Sequence, residues 1–174
     1  MRHSNVKKLV MAALFAALTT VMTMVIRVPS PTQGFLNLGD CSVLLAAWVL
    51  GPLYGGAAAG VGSMMADILA SYTNYAPGTF VIKFAMGVAA GLIFQAMKGH
   101  TPGRKLTAQL VGGVVAEAIM VLGYFGYCAV FLGYGLAAAV DIPGNLVQAA
   151  FGLVMAVIVY TVLDRSHALE RVTI

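Results

Sequence analysis

Eight of the ten Lys and Arg residues of this chain fall in three short clusters, and the stretches between them are almost free of charge. Arg2, Lys7 and Lys8 precede the first apolar run; Lys98, Arg104 and Lys105 fill a polar hinge at mid-chain; Arg165 and Arg171 follow the last run. Basic residues collect on the cytoplasmic side of membrane helices, so the clusters predict that both termini and the hinge face the cytoplasm. At 9% charged residues, against about 25% in soluble domains, the chain reads as an all-α integral membrane protein. One crossing takes about 20 apolar residues, which leaves room for a single transmembrane domain, residues 1–174, and no sizeable soluble one.

The net charge of +4 reports topology. It sits on short loop ends without aromatic platforms, so no nucleic-acid partner is expected. Cys41 and Cys128 are isolated and predict neither a disulfide framework nor a metal site, and no cofactor is implied. The N-terminal run continues without a boundary and is expected to remain as a helix rather than be cleaved as a signal.

Breaks in the apolar pattern give six transmembrane helices. The first runs from Leu9 to Ile26, before a loop marked by Pro29, Pro31 and Gly34. The uncharged stretch from Cys41 to Ala66 is too long for one span, and Gly51-Pro52-Leu53-Tyr54-Gly55-Gly56 splits it into helices of about 39–53 and 56–72. After a turn at 71–77 a fourth helix covers about 78–97, and the hinge occupies 98–105. The fifth helix covers about 106–131, and the sixth opens at Asp141-Ile142-Pro143-Gly144-Asn145 and runs to about Leu163. Six crossings return the chain to its starting side, as the basic clusters require. Small residues recur at four-residue spacing, which lets helices approach closely in lipid. Gly56/Gly60 and Gly87/Gly91 read as internal packing. Ala12/Ala16 and Ala13/Ala17, on the first helix, serve internal packing or contact with another protein.

Charges inside such a chain mark its function. From a rise of about 1.5 Å per residue, Asp67 and Lys83 lie at similar depth from the outer face, either paired with each other or facing a ligand. Asn145 and Gln148 sit in the first turns of the sixth helix. Glu117 lies near mid-membrane, with no Lys or Arg within a turn, so its partner comes from another helix or from a ligand. Asp40 and Asp141 read as helix N-caps. Aromatic residues gather on the outer side, among them Phe35, Tyr72, Tyr75 and Tyr124, more than a belt at both interfaces explains. The polar groups line the outer half alone, which suits a one-sided pocket for a flat ring rather than a pore. Gly99-His100-Thr101-Pro102-Gly103-Arg104-Lys105 lacks the spacing of a phosphate-binding loop. Ser63 has no base at hand, since His3, His100 and His167 lie near the cytoplasmic ends. No catalytic residues are expected, and the chain is not read as an enzyme.

Several segments resemble the substrate-binding S components of energy-coupling factor (ECF) vitamin transporters. They are Gly34-Phe35-Leu36-Asn37-Leu38-Gly39-Asp40, Leu50-Gly51-Pro52-Leu53-Tyr54-Gly55-Gly56, Gly62-Ser63 with Ala66-Asp67, and Tyr75-Ala76-Pro77-Gly78-Thr79-Phe80-Val81-Ile82-Lys83. Glu117 with Gly123-Tyr124-Phe125, and Ile142-Pro143-Gly144-Asn145-Leu146 with Gln148, extend the likeness over nearly the whole chain. Within that family it is similar to the branch serving riboflavin, hydroxymethylpyrimidine or pyridoxine-type substrates. The resemblance implies a multi-pass subunit of the bacterial cell membrane that captures a small vitamin near the outer face, with the loop 28–40 as a lid. It further implies docking through Ala12, Ala16, Ala13 and Ala17 onto a membrane coupling subunit driven by two cytoplasmic ATPases. Asn37, Asp67, Tyr72, Tyr75, Lys83, Glu117, Tyr124, Asn145 and Gln148 are the expected substrate-binding residues. A hydroxymethylpyrimidine- or pyridoxine-type ring is the favoured ligand. Riboflavin, or a self-sufficient secondary transporter, is the alternative.

Overall fold

The computed structural model describes residues 2–99 and 101–169, with side chains from Val6 onward. His100 and Arg171, and the side chains of Arg2 and His3, lie outside the described residues. Six helices form the fold: α1 (Arg2–Val25), α2 (Gly39–Leu50), α3 (Pro52–Leu69), α4 (Ala76–Met97), α5 (Pro102–Gly126) and α6 (Ile142–Arg165). Among the described residues, four segments are long and apolar enough to cross a membrane: Val6–Val25, Ala76–Met97, Pro102–Phe131 and Gly135–Arg165.

The expected second span differs. Helix α2 has 12 residues, about 18 Å at the helical rise against a hydrocarbon core of about 30 Å. It is a half-length helix buried from Gly39 to Trp48, wrapped by its neighbours instead of by lipid. The break after it is shorter than the Gly-Pro-Gly-Gly composition suggested. Gly51 alone makes the turn with φ of 81°, and Pro52 already opens α3. Pro77 and Pro102 likewise lie inside the first turns of α4 and α5, where a missing N–H costs nothing. These helices therefore start earlier than expected.

The loop after α1 folds into a hairpin, β1 (Arg27–Pro29) and β2 (Phe35–Asn37), antiparallel with Val28 opposite Leu36. After α5 a π-helical turn, Tyr127–Phe131, and a 3-10 segment, Gly135–Asp141, lead into α6. One end of the bundle carries the hairpin. The other carries the basic residues, where the Lys105 ammonium lies 2.8 Å from the Asp164 carboxylate and ties α5 to α6.

Backbone contact between α3 and α4 sets the packing. A methyl group on Gly87 would stand 2.7 Å from the Gly56 Cα, and one on Gly91 equally close to the Pro52 Cα. The glycine pairs thus serve internal packing. On α1, Ala12 is buried against Ala46 and Ala58, and the Ala16 carbonyl accepts from Thr20 at 3.0 Å. Thr20 also donates to the Gly62 carbonyl at 2.8 Å. Ala13 and Ala17 point the other way, exposed beside Leu14 and Leu18. Nearer the basic end, Trp48, Phe94 and Tyr160 meet edge to face or tilted, with centroids within 6.1 Å, and fill the core.

Gly87→Ala should lower the unfolding free energy in detergent by about 1–3 kcal/mol, because overpacked backbone cannot yield. Gly103→Ala, with open space around it, should cost nothing.

Candidate functional site

The hairpin end holds a cup whose floor is a charged network. Asn37 supplies the helix-start contact expected of Asp40: its side-chain oxygen accepts from the Gly39 N–H at 2.8 Å. Asp40 is thereby released from capping and turns into the bundle, fully buried. One of its oxygens takes the Lys83 ammonium; the other accepts from Gln148 Nε2 at 2.6 Å. Gln148 Oε1 accepts from the Asn37 N–H at 2.7 Å. Residues of α2, α4, α6 and β2 are joined in a single closed circuit. The N-cap reading of Asp40 is corrected accordingly, and of the two alternatives left open for Asp67 and Lys83 the mutual pair is not formed, since Lys83 pairs with Asp40. Lys83 also stands over the Tyr124 ring, 5.6 Å from its centroid.

Above this floor lies a narrow cavity of about 40 Å³, well below the roughly 300–1,000 Å³ of small-molecule sites, so a ring-sized ligand fits only once the walls move apart. Six of the nine expected binding residues line it: Asn37, Asp67, Tyr75, Tyr124, Asn145 and Gln148. Phe35, Thr79, Cys128 and Asp141 also belong to the wall, with Ser30, Gly34 and Leu36 of the hairpin region. Three expected residues are not brought to it. Lys83 is beneath, held by Asp40. Tyr72 borders a wider vestibule nearer the loops and packs edge-on against Phe35, centroids 4.7 Å apart. Glu117 lies at the α5–α6 seam, where a methyl on Gly152 would be 3.4 Å from its Oε1. It borders an apolar groove of Val114, Val121, Leu146 and Leu153, and neither carboxyl oxygen has a hydrogen-bond partner among the described residues.

The hairpin closes over the cup. Thr32, at its tip, is buried and its hydroxyl donates to the Asp141 carboxylate. Tyr75 donates to the Thr32 carbonyl at 2.6 Å, and Ser30 reaches Asp141 at 3.2 Å. Asp141 does occupy the N-cap position of α6, but its side chain makes no capping bond and holds the hairpin instead. Sequence reasoning missed Asp40, Thr32 and Thr79 as site residues. For Asp40 a signal existed: Asn37 already offers a cap three residues earlier, so the second acid was free for another task. Thr32 and Thr79 carried none.

The family model for the ECF-type riboflavin transporter S component matches residues 3–165. The chain belongs to that family. A Pyrococcus woesei protein described as an uncharacterized protein in gap 3'region is 41% identical over 137 residues, 78% of this chain and 87% of that protein. The thiamine precursor transporter HmpT of Lactococcus lactis is 26% identical over 172 residues, 98% and 95% of the two chains. A solved S component of a bacterial ECF transporter superposes with a TM-score of 0.66 at 20% identity, covering 92% of this chain and 97% of that one. That likeness speaks for the shared fold. The family is one of transport subunits, not enzymes.

Removing one partner of a buried ion pair costs about 3–5 kcal/mol, while apolar replacement of both is often neutral. Lys83→Met should therefore destabilise the chain by about that much, and adding Asp40→Leu should recover most of it. Thermal unfolding in detergent measures both; an equal loss in the single and double variants would contradict the pairing.

Proposed function

We propose that this S component captures a small aromatic vitamin precursor, of the hydroxymethylpyrimidine or pyridoxine type, and delivers it inward with ATP-driven partners. The observation that carries this reading is the blind cup. Its walls hold two tyrosines for stacking and amide or carboxylate groups for the ring edge, and its floor is sealed by the Asp40–Lys83–Gln148 circuit. A sealed floor permits binding and forbids conduction, so release needs a rearrangement driven from outside the chain. HmpT, a thiamine precursor transporter similar over almost the full length, supports a vitamin precursor. The family description favours riboflavin, which remains the second reading.

In this account the hairpin end faces outward and the basic end lies in the cytoplasm of a bacterial cell, with both termini there. The six helices make six passes, α2 as a short inner one. A membrane coupling subunit and two cytoplasmic ATPases complete the importer. The docking face is the outward row of α1, Ala13 and Ala17, since Ala12 and Ala16 face α2 and α3. Of the remaining expected residues, Glu117 does not line the cup but lies beside its floor, with Asp40 and Glu117 both flanking Gly152, and a role in holding the ligand would need movement of α5 against α6.

The purified chain should bind hydroxymethylpyrimidine saturably without nucleotide. Vesicles containing it should accumulate the ligand only when the coupling subunit, ATPases and ATP are supplied. Ala13→Trp should abolish accumulation and leave binding unchanged. Accumulation by the chain alone, driven by an ion gradient, would overturn the proposal in favour of a secondary transporter.

A further inference from the structure

One carboxylate of the cup is built differently from the rest. Asp67, near the end of α3, is buried and lines the cavity. Its carboxylate faces the Thr79 hydroxyl, which in turn accepts from the Tyr124 hydroxyl at 3.1 Å. The relay is directional. Tyr124 donates to Thr79, so the Thr79 proton is left for Asp67, and three helices fix the orientation of one acid. Its second oxygen, Oδ2, is buried with no hydrogen-bond partner among the described residues. A desolvated acceptor without a donor is costly, and more so when charged. The Lys83 ammonium, taken by Asp40, gives it no hydrogen bond.

Charge balance points the same way. Asp40, Asp67 and Glu117 are buried in the bundle against Lys83 as their buried cation among the described residues, and Asp141 adds a further acid at the mouth. Such a cup is complementary to a ligand that brings N–H donors or positive charge. Asn145 sits on α6 as another lining group. Gln148 is occupied at both its oxygen and its nitrogen by Asn37 and Asp40.

We infer that Asp67, held by the Thr79–Tyr124 relay, is the specificity-determining group of the cup, selecting rings that present an amine or protonated nitrogen over isosteres presenting a carbonyl. The inference rests on the vitamin-precursor reading and goes beyond it by naming the ligand edge that is read. Asp67 takes the ligand N–H on Oδ2. Thr79 and Tyr124 are positioning residues that keep this oxygen aimed. A carbonyl at the same edge would set two acceptors against each other, and a site built for a donor rejects its absence strongly. Uncharged ring systems whose edge carries carbonyls, flavins included, meet the same penalty.

The test uses the purified full-length chain in detergent with three probes: hydroxymethylpyrimidine, its analogue with a ring carbonyl in place of the amine, and riboflavin. Wild type should bind the amine at least about tenfold more tightly than its carbonyl analogue. Asp67→Asn should weaken amine binding about tenfold to a hundredfold and shift the carbonyl analogue by less than about threefold, which collapses the ratio. Thr79→Val should lower the ratio while Thr79→Ser restores it. A purely structural role would move both affinities together. Thr79→Val leaves the carboxylate in place, so a folding defect in Asp67→Asn does not remove the test. An unchanged ratio in both Asp67→Asn and Thr79→Val overturns the inference while leaving the precursor reading intact. Tight binding of riboflavin with neither pyrimidine bound overturns both, as does failure to bind any of the three.

Discussion

A buried ion pair organises this molecule. The Asp40–Lys83 contact lies where neither group meets solvent, so each exists as a charge because the other is there. Around it, Gln148 and Asn37 satisfy the remaining polar atoms. The circuit does two things at once. It draws together α2, α4, α6 and the hairpin, which packing of apolar side chains alone leaves free to slide in lipid. It also seals the base of the cup, because a fully satisfied network offers no open site from which water or a ligand could move further down.

The rest of the bundle supports that floor. Glycines on α3 and α4 allow backbone contact, and this brings Asp67 and Lys83, on neighbouring helices, to the same level of the fold without joining them. Helix α2 is short because its first residue must begin at the depth of the circuit, not at the membrane surface. Its burial from Gly39 to Trp48 follows from being surrounded by protein. The hairpin is tied to Asp141 and Tyr75 through Thr32, so the closure of the cup and the stability of its mouth depend on a few hydroxyl contacts that differ in kind from the ionic floor.

Much of this was legible in the sequence. Apolar runs broken by Pro and Gly gave six helices, and the depth of polar residues along them predicted convergence at one end, where six expected residues do line the cavity. What sequence could not supply was rotation. Helices apolar on every side have no polar face to fix their phase, so Ala12 and Ala13, neighbours in the chain, could not be told apart, though one faces α2 and α3 and the other faces away. The same ambiguity hid the partner of Lys83, since Asp40 and Asp67 stand at similar depth. Glu117 shows the same limit: its mid-helix position gave its height, while its direction toward the α5–α6 seam depends on Gly152. The hairpin was missed because three-residue strands among prolines carry no alternation to detect.

Accessibility of single cysteines tests the sealed floor most directly. In a background lacking Cys41 and Cys128, cysteine at Asn145 samples the cup, and cysteine at Met86, a turn below Lys83 and fully buried, samples the region beneath. A membrane-impermeant thiol reagent applied from the hairpin side should label the former, less so with hydroxymethylpyrimidine bound, and should leave the latter untouched from either side. Labelling at Met86 would mean a continuous water path through the bundle, and the account of a closed binding cup would be wrong.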